Sequence, residues 1–176
     1  MKNKNAIKII VVGEGAVGKT TFLVRLINGD FNPDLEMTKA LEVFCKNVCV
    51  NGDDFDFSIW DFAGQDQFRF ILDEFVRGAK GAFMMFDVTR LNTLEKIDEW
   101  MTMLKNNGNR NIPILLLGAK DDLLDSEMEE SLKEFTSEIV KKNDNCFAYM
   151  NISAKTGHNI HDAFDLLVSK IFENNL

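Results

Sequence analysis

Proline, cysteine and histidine are scarce in this chain of 176 residues: two, three and two respectively. So little proline, with no Gly/Ser-rich tract, leaves no linker to divide the chain. One domain over residues 1–176 is expected. Cys45, Cys49 and Cys146 form no CxxC pair and have no histidine at ligand spacing, which excludes a zinc-ribbon or finger site. All three are expected to be reduced thiols in or near the core. His158 and His161 open the last helical stretch without a catalytic partner in sequence. Positive charge is also short. Twenty Lys plus Arg against 28 Asp plus Glu give a formal net charge of −8 at pH 7. That excludes a protein whose main task is gripping nucleic acid, which needs a net basic face. A single nucleotide, needing only a local electropositive nest, remains open.

Long hydrophobic runs are missing too. No apolar run reaches membrane-spanning length, and Met1–Asn5 does not read as a signal peptide. Residue 2 is not glycine, and the last residues carry no cysteine for prenylation. A cytoplasmic protein with no direct lipid anchor in this chain is expected. A hydrophobic content of 45% is ample for one sizeable core.

Apolar runs alternate with helix-period segments. Strands are expected at Ile7–Val12, Leu41–Val50, Phe55–Trp60, Gly81–Asp87, Ile112–Gly118 and Cys146–Ile152. Asn51-Gly52 signals a hairpin between the second and third. Helices are expected at Thr20–Asn28, Asp66–Arg77, Thr93–Asn107 and Glu127–Lys142. The last helix is marked by Ile160, Ala163, Phe164, Leu167, Val168 and Ile171 at three- and four-residue steps. The pattern is an α/β fold: a six-stranded, mostly parallel sheet with one antiparallel strand and helices on both faces. Such sheets bind ligands beyond the carboxyl ends of their strands.

Directly after the first strand, Gly13-Glu14-Gly15-Ala16-Val17-Gly18-Lys19-Thr20 satisfies GxxxxGK[ST]. The glycines let successive N–H groups turn toward phosphate oxygens, and the following helix adds its positive end. Lys19 supplies a cation for the β- and γ-phosphates, and the Thr20 hydroxyl can ligate Mg²⁺. Gly13, Gly15, Ala16, Val17, Gly18, Lys19, Thr20 and Thr21 are the expected phosphate contacts.

The base is read elsewhere. In Gly118-Ala119-Lys120-Asp121-Asp122, the Asp122 carboxylate can accept from guanine N1–H and the exocyclic amine. Adenine leaves it unpaired. The Lys120 stem can lie over the base, and Ser153-Ala154-Lys155 offers the Ala154 N–H to guanine O6. Phe31 can pack edge-on against the base, or make only a small satellite contact. After the third strand, Asp61 can hold Mg²⁺ through water, Gly64 can donate to a γ-phosphate, and Gln65 can orient an attacking water. Thr38 sits in the long connection Gly29–Ala40, where it can ligate Mg²⁺ and sense the γ-phosphate.

With these motifs in order, the sequence resembles a small GTPase of the Ras superfamily over essentially its whole length. Phe75–Ala82 with Phe86-Asp87-Val88-Thr89-Arg90, Trp60-Asp61 and Ser153-Ala154-Lys155-Thr156-Gly157 are most similar to the Rab branch. The resemblance implies a P-loop GTPase fold and a Mg²⁺-dependent switch between GTP and GDP states. Exchange factors, activating proteins and effectors would act through the switch segments. The implied catalytic set is Gln65, Lys19, Thr38 and Gly64, with Thr20, Thr38 and Asp61 at the metal. Gly15 stands where a side chain would block the glutamine, so slow intrinsic hydrolysis, accelerated in trans, is expected.

Three departures stand out. Ala119 replaces the family's usual asparagine, which bonds both base and phosphate loop. Thr38–Phe44 departs from the Thr-Ile-Gly pattern of Rab proteins, and the terminal prenyl cysteines are missing. A P-loop ATPase or nucleotide kinase fits poorly beside Asp122 and Ser153-Ala154-Lys155. A hydrolysis-deficient scaffold on the same fold is kept open by Ala119. For partners, Trp60 alternates away from Phe55, Phe57 and Ile59 in its strand. If the hairpin loop has an odd number of residues, Phe44 shares its face, and with Phe75 they resemble the aromatic triad Rab proteins offer to effectors. The same three residues could instead form an aromatic minicore.

Overall fold

The computed structural model of the protein describes residues 6–36, 38, 41–63, 72–106 and 111–173. Its strands are β1 (Ala6–Val12), β2 (Leu41–Val50), β3 (Asp53–Phe62), β4 (Gly81–Asp87), β5 (Ile114–Ala119) and β6 (Cys146–Ile152). Its helices are α1 (Lys19–Asn28), α2 (Leu72–Val76), α3 (Leu91–Glu95), α4 (Ile97–Asn106), α5 (Ser126–Lys142) and α6 (Ile160–Glu173). The six strands form one sheet in the order β2-β3-β1-β4-β5-β6. β2 runs antiparallel to β3, and every other pairing is parallel. This is the architecture of P-loop GTPases.

β4 and β5 are buried along their whole length, because helices cover both faces of a parallel sheet. The pleat then sorts alternate residues into two cores. Ile9, Val11, Phe83 and Met85 pack with Phe22, Leu26, Phe164 and Leu167 under α1 and α6. Ile10, Val12, Met84 and Phe86 pack with Trp100, Leu104 and Leu132 on the opposite face. All six apolar positions expected of the last helix are buried in α6. Because the strands are parallel, the carboxyl ends of β1, β3, β4, β5 and β6 share one edge, which carries the site.

Several boundaries differ from the sequence pattern. β3 extends past Phe55–Trp60 at both ends because the hairpin ladder runs along its full length. β5 begins at Ile114, after Pro113, rather than at Ile112. The stretch expected as one helix over Thr93–Asn107 is two, α3 and α4, parted at Lys96. Within α3, Thr93 is buried and its hydroxyl accepts from the Asp87 N–H over 3.0 Å. Of Asp66–Arg77, residues 66–71 lie outside the described residues, as do 1–5 and 174–176.

The hairpin register overturns the expected aromatic face. Val50 pairs with Asp53, so the turn has two residues, Asn51 and Gly52, both at positive φ (53° and 89°). That is the type I′ pattern, which matches strand twist. An even loop places Val43, not Phe44, opposite Trp60, while Phe44 pairs with Ile59 and packs toward the α1/α6 core. Phe75 is buried, 4.8 Å from the Phe62 ring and 6.3 Å from Trp60. The Lys8 ammonium lies 3.7 Å over the Trp60 ring and donates to the Arg77 carbonyl. Trp60 and Phe75 are thus part of a minicore capped by a cation. The same register turns Cys45 and Cys49 outward, against the expectation of near-core thiols, while Cys146 is buried.

Candidate functional site

The loop after β1 folds as its glycines require. Gly13 has φ 142°, and a Cβ built there would lie 2.1 Å from the Met85 carbonyl oxygen. Gly18, at φ 104°, precedes α1 in the left-handed region. Between them Ala16 takes φ 59°. Lys19 is only 6% exposed and turns back over the loop, its ammonium donating to the carbonyls of Gly13 (2.9 Å) and Glu14 (2.8 Å). Burial pushes its pKa down to about 8, with Arg90 adding to the fall and the charges of Asp61 and Glu14 opposing it. The first turn of α1 carries no side-chain cap, so its amides remain available beside the loop.

A cavity of about 420 Å³ opens over this loop. It is lined by Gly15, Ala16, Val17, Gly18, Lys19, Thr20 and Thr21 on one side, with Phe31 and Thr38 from the following connection. Lys120, Asp122, Ala154 and Lys155 line the other side. The phosphate-type and base-type motifs, about a hundred residues apart in sequence, therefore share one cavity. Gly13 lies behind the loop against β4, and Ser153 lies behind Asp122. Gly64 and Gln65 fall outside the described residues.

At the phosphate end three oxygen side chains converge. The Thr20 hydroxyl donates to Asp61 Oδ2 over 2.5 Å, the Thr38 hydroxyl donates to the same oxygen over 3.1 Å, and the two hydroxyls are 2.6 Å apart. Asp61 is fully buried, and its Oδ1 has no hydrogen-bond partner among the described residues. Burial pushes the Asp61 carboxyl above the usual range, opposed by the Thr20 bond, the Lys19 charge and the Thr38 bond, with the Glu42 charge adding to the rise. A buried carboxylate oxygen without a partner beside two hydroxyls is an all-oxygen donor set, which suits a hard divalent cation such as Mg²⁺.

At the base end Asp122 is held in place. Ser153 Oγ donates to Asp122 Oδ1 over 2.7 Å, and the Lys155 ammonium is 3.8 Å from Oδ2. The Thr156 N–H donates to the same Ser153 hydroxyl over 3.1 Å, which orients it. Ala119 is buried beside the cavity and presents only a methyl group. Lys120 sits at φ 69°, a left-handed turn that aims its side chain back across the site.

A sequence model of the Ras family matches residues 8–173 of this chain. The chain belongs to the Ras family. It is similar to the Ras-related protein RABA5c of Arabidopsis thaliana, 32% identical over 95% of this chain and 76% of the relative. It is also similar to RABA1b of the same plant, 33% identical over 94% of this chain and 74% of that relative. The Rab-like resemblance read from the motifs is therefore shown.

In this Ras-family chain, five polar contacts at the site were not singled out from sequence. Asp87 ends β4 fully buried, with Oδ1 accepting from the Thr89 N–H (2.9 Å) and hydroxyl (2.7 Å). Its Oδ2 accepts from Arg90 Nε (2.9 Å) and the Lys120 ammonium (2.6 Å). Burial works to raise its pKa, but the bonds from Lys120, Thr89 and Arg90 outweigh that and hold it below the usual carboxylate range. Trp100 Nε1 donates to Glu14 Oε1 over 3.0 Å, tying the phosphate loop to α4. The signal was present: a carboxylate closing an otherwise apolar strand at the edge where ligands bind. Among the described residues no helix is long and apolar enough to cross a membrane.

Proposed function

We propose that this chain, a single G domain over residues 1–176, binds guanine nucleotide with Mg²⁺ and slowly hydrolyses GTP, acting as a Rab-like molecular switch. The observation that carries this reading is that one cavity is lined both by a fixed carboxylate, Asp122, and by Lys19, Thr20 and Thr38, with the buried Asp61 behind the two hydroxyls. Asp122 accepts from the guanine N1–H and 2-amino group, the Ala154 N–H donates to O6, and Lys120 and Phe31 flank the base. The loop amides of Gly15–Lys19 and the Lys19 ammonium bind and orient the phosphates. Thr20 and Thr38 would hold the metal directly, and Asp61 through water. Bound there, Mg²⁺ would neutralise charge developing on the β- and γ-phosphate oxygens.

Gln65 orients the attacking water, and the Gly64 N–H holds the γ-phosphate. Thr38 and Gly64 are the groups whose contacts depend on that phosphate, so its loss frees both segments. Exchange factors, activating proteins and effectors meet the chain at those segments and beside the outer face of Val43 and Trp60. A hydrolysis-deficient scaffold is the second reading, favoured only by the methyl group at Ala119. The nucleotide carried through purification separates them: GDP is expected for a cycling switch. GTP retained intact would favour the scaffold, and adenine nucleotide would contradict both.

A further inference from the structure

The carbonyls of four successive phosphate-loop residues each accept from a cationic side chain. Lys19 holds Gly13 and Glu14, Arg90 Nη2 donates to the Gly15 carbonyl over 3.2 Å, and the Lys120 ammonium to the Ala16 carbonyl over 3.4 Å. Two of these cations are themselves gathered on one buried carboxylate, Asp87. In a trans peptide the C=O of one residue and the N–H of the next point to opposite sides. A Gly15 carbonyl drawn toward Arg90 therefore turns the Ala16 N–H the other way, and Ala16 lines the cavity.

We propose that Arg90, braced by Asp87, is a positioning residue that clasps the phosphate loop in its anion-binding shape and so sets how long nucleotide stays bound. This rests on reading the cavity as a nucleotide site. The guanidinium suits the task because its fork spends Nε on Asp87 and Nη2 on Gly15 at the same time. Ala119 adds nothing to this hold, having only a methyl group, so the described side-chain ties from the β4 and β5 ends to the loop are those of Arg90 and Lys120. Lys120 reaches Ala16 at the longer distance, which leaves Arg90 as the better-formed tie.

The test is the release rate of preloaded fluorescent GDP from the full chain in excess unlabelled GDP. Arg90→Ala is expected to release it about tenfold faster, the loss of one charge-assisted hydrogen bond. Arg90→Lys keeps a cation for Asp87 but lacks the fork, and is expected to stay fast. Because the clasp acts on the phosphate loop and not on the base, the preference for GDP over ADP should be unchanged in both variants. Release from Arg90→Ala at the parent rate, or full recovery in Arg90→Lys, would overturn the clasp while leaving the nucleotide site intact. A parent chain that holds no guanine nucleotide would overturn the underlying reading, and the clasp with it.

Discussion

Thr38 donates to Asp61 across 3.1 Å, joining the connection after α1 to the carboxyl end of β3. Both groups meet Thr20, so one short cluster ties together three separate stretches of chain. Thr20 stands in α1 and Asp61 in β3, whereas Thr38 lies in the connection before β2. In the proposed switch its hydroxyl is the member of the cluster that follows the γ-phosphate. Thr38→Ala should slow single-turnover GTP hydrolysis roughly tenfold or more, the size seen when one preorganised contact to developing charge is removed. GDP affinity should change far less. Equal losses in both measurements would mean that Thr38 serves binding in general.

Asp122 is aimed by Ser153 over 2.7 Å. Asp122→Ala removes the acceptor for two guanine donors, and GDP affinity should fall about a hundredfold or more. Ser153→Ala leaves the carboxylate in place but unaimed, and a smaller loss is expected. ADP binding should not fall with either change. Titration calorimetry with GDP and ADP reads all of this directly.

Ala119 is buried at the edge of the cavity. Restoring an amide with Ala119→Asn should slow GDP release several-fold, about the worth of one good hydrogen bond. An unchanged release rate would show that the methyl group costs the site nothing.

The hairpin register makes opposite demands on neighbours. Phe44 packs on the core under α1 and α6, whereas Val43 is 46% exposed on the Trp60 face. Phe44→Ala should lower unfolding stability by about 1–3 kcal/mol, less than for a fully buried ring. Val43→Ala should stay within about 0.5 kcal/mol. Urea midpoints of the two variants give the comparison.

The thiols separate by environment. Cys45 and Cys49 are exposed and should react promptly with a thiol reagent in the native protein, while Cys146 should react only on unfolding. Burial pushes the Cys146 thiol up to about 11 from an ordinary 9.0. Between those values the unfolded chain has lost the proton that the folded chain still holds. Stability should therefore fall as pH rises from about 9 to 11, and this share of the fall should vanish in Cys146→Ala.

Much of this was legible in the chain. Buried parallel strands and an amphipathic last helix have strong periodicity, and the GxxxxGK[ST] loop, Asp122 and Thr38 carry chemistry in their spacing. The hairpin face was not legible, since it depended on whether the loop held an odd or even number of residues. One residue reverses every side chain of a strand. Asn51 at positive φ settled that as a two-residue turn. The role of the Asp87–Arg90 pair was not legible, because its target is the backbone carbonyl of Gly15, 75 positions away from Arg90. No side-chain motif records a contact of that kind.

Single-turnover hydrolysis of radiolabelled GTP and ATP by the purified chain in Mg²⁺ is the most direct measurement. Slow conversion of GTP to GDP, lost in Gln65→Leu and accompanied by no turnover of ATP, is the expected result. Equal turnover of both nucleotides, or GTP hydrolysis untouched by Gln65→Leu, would contradict the proposed function.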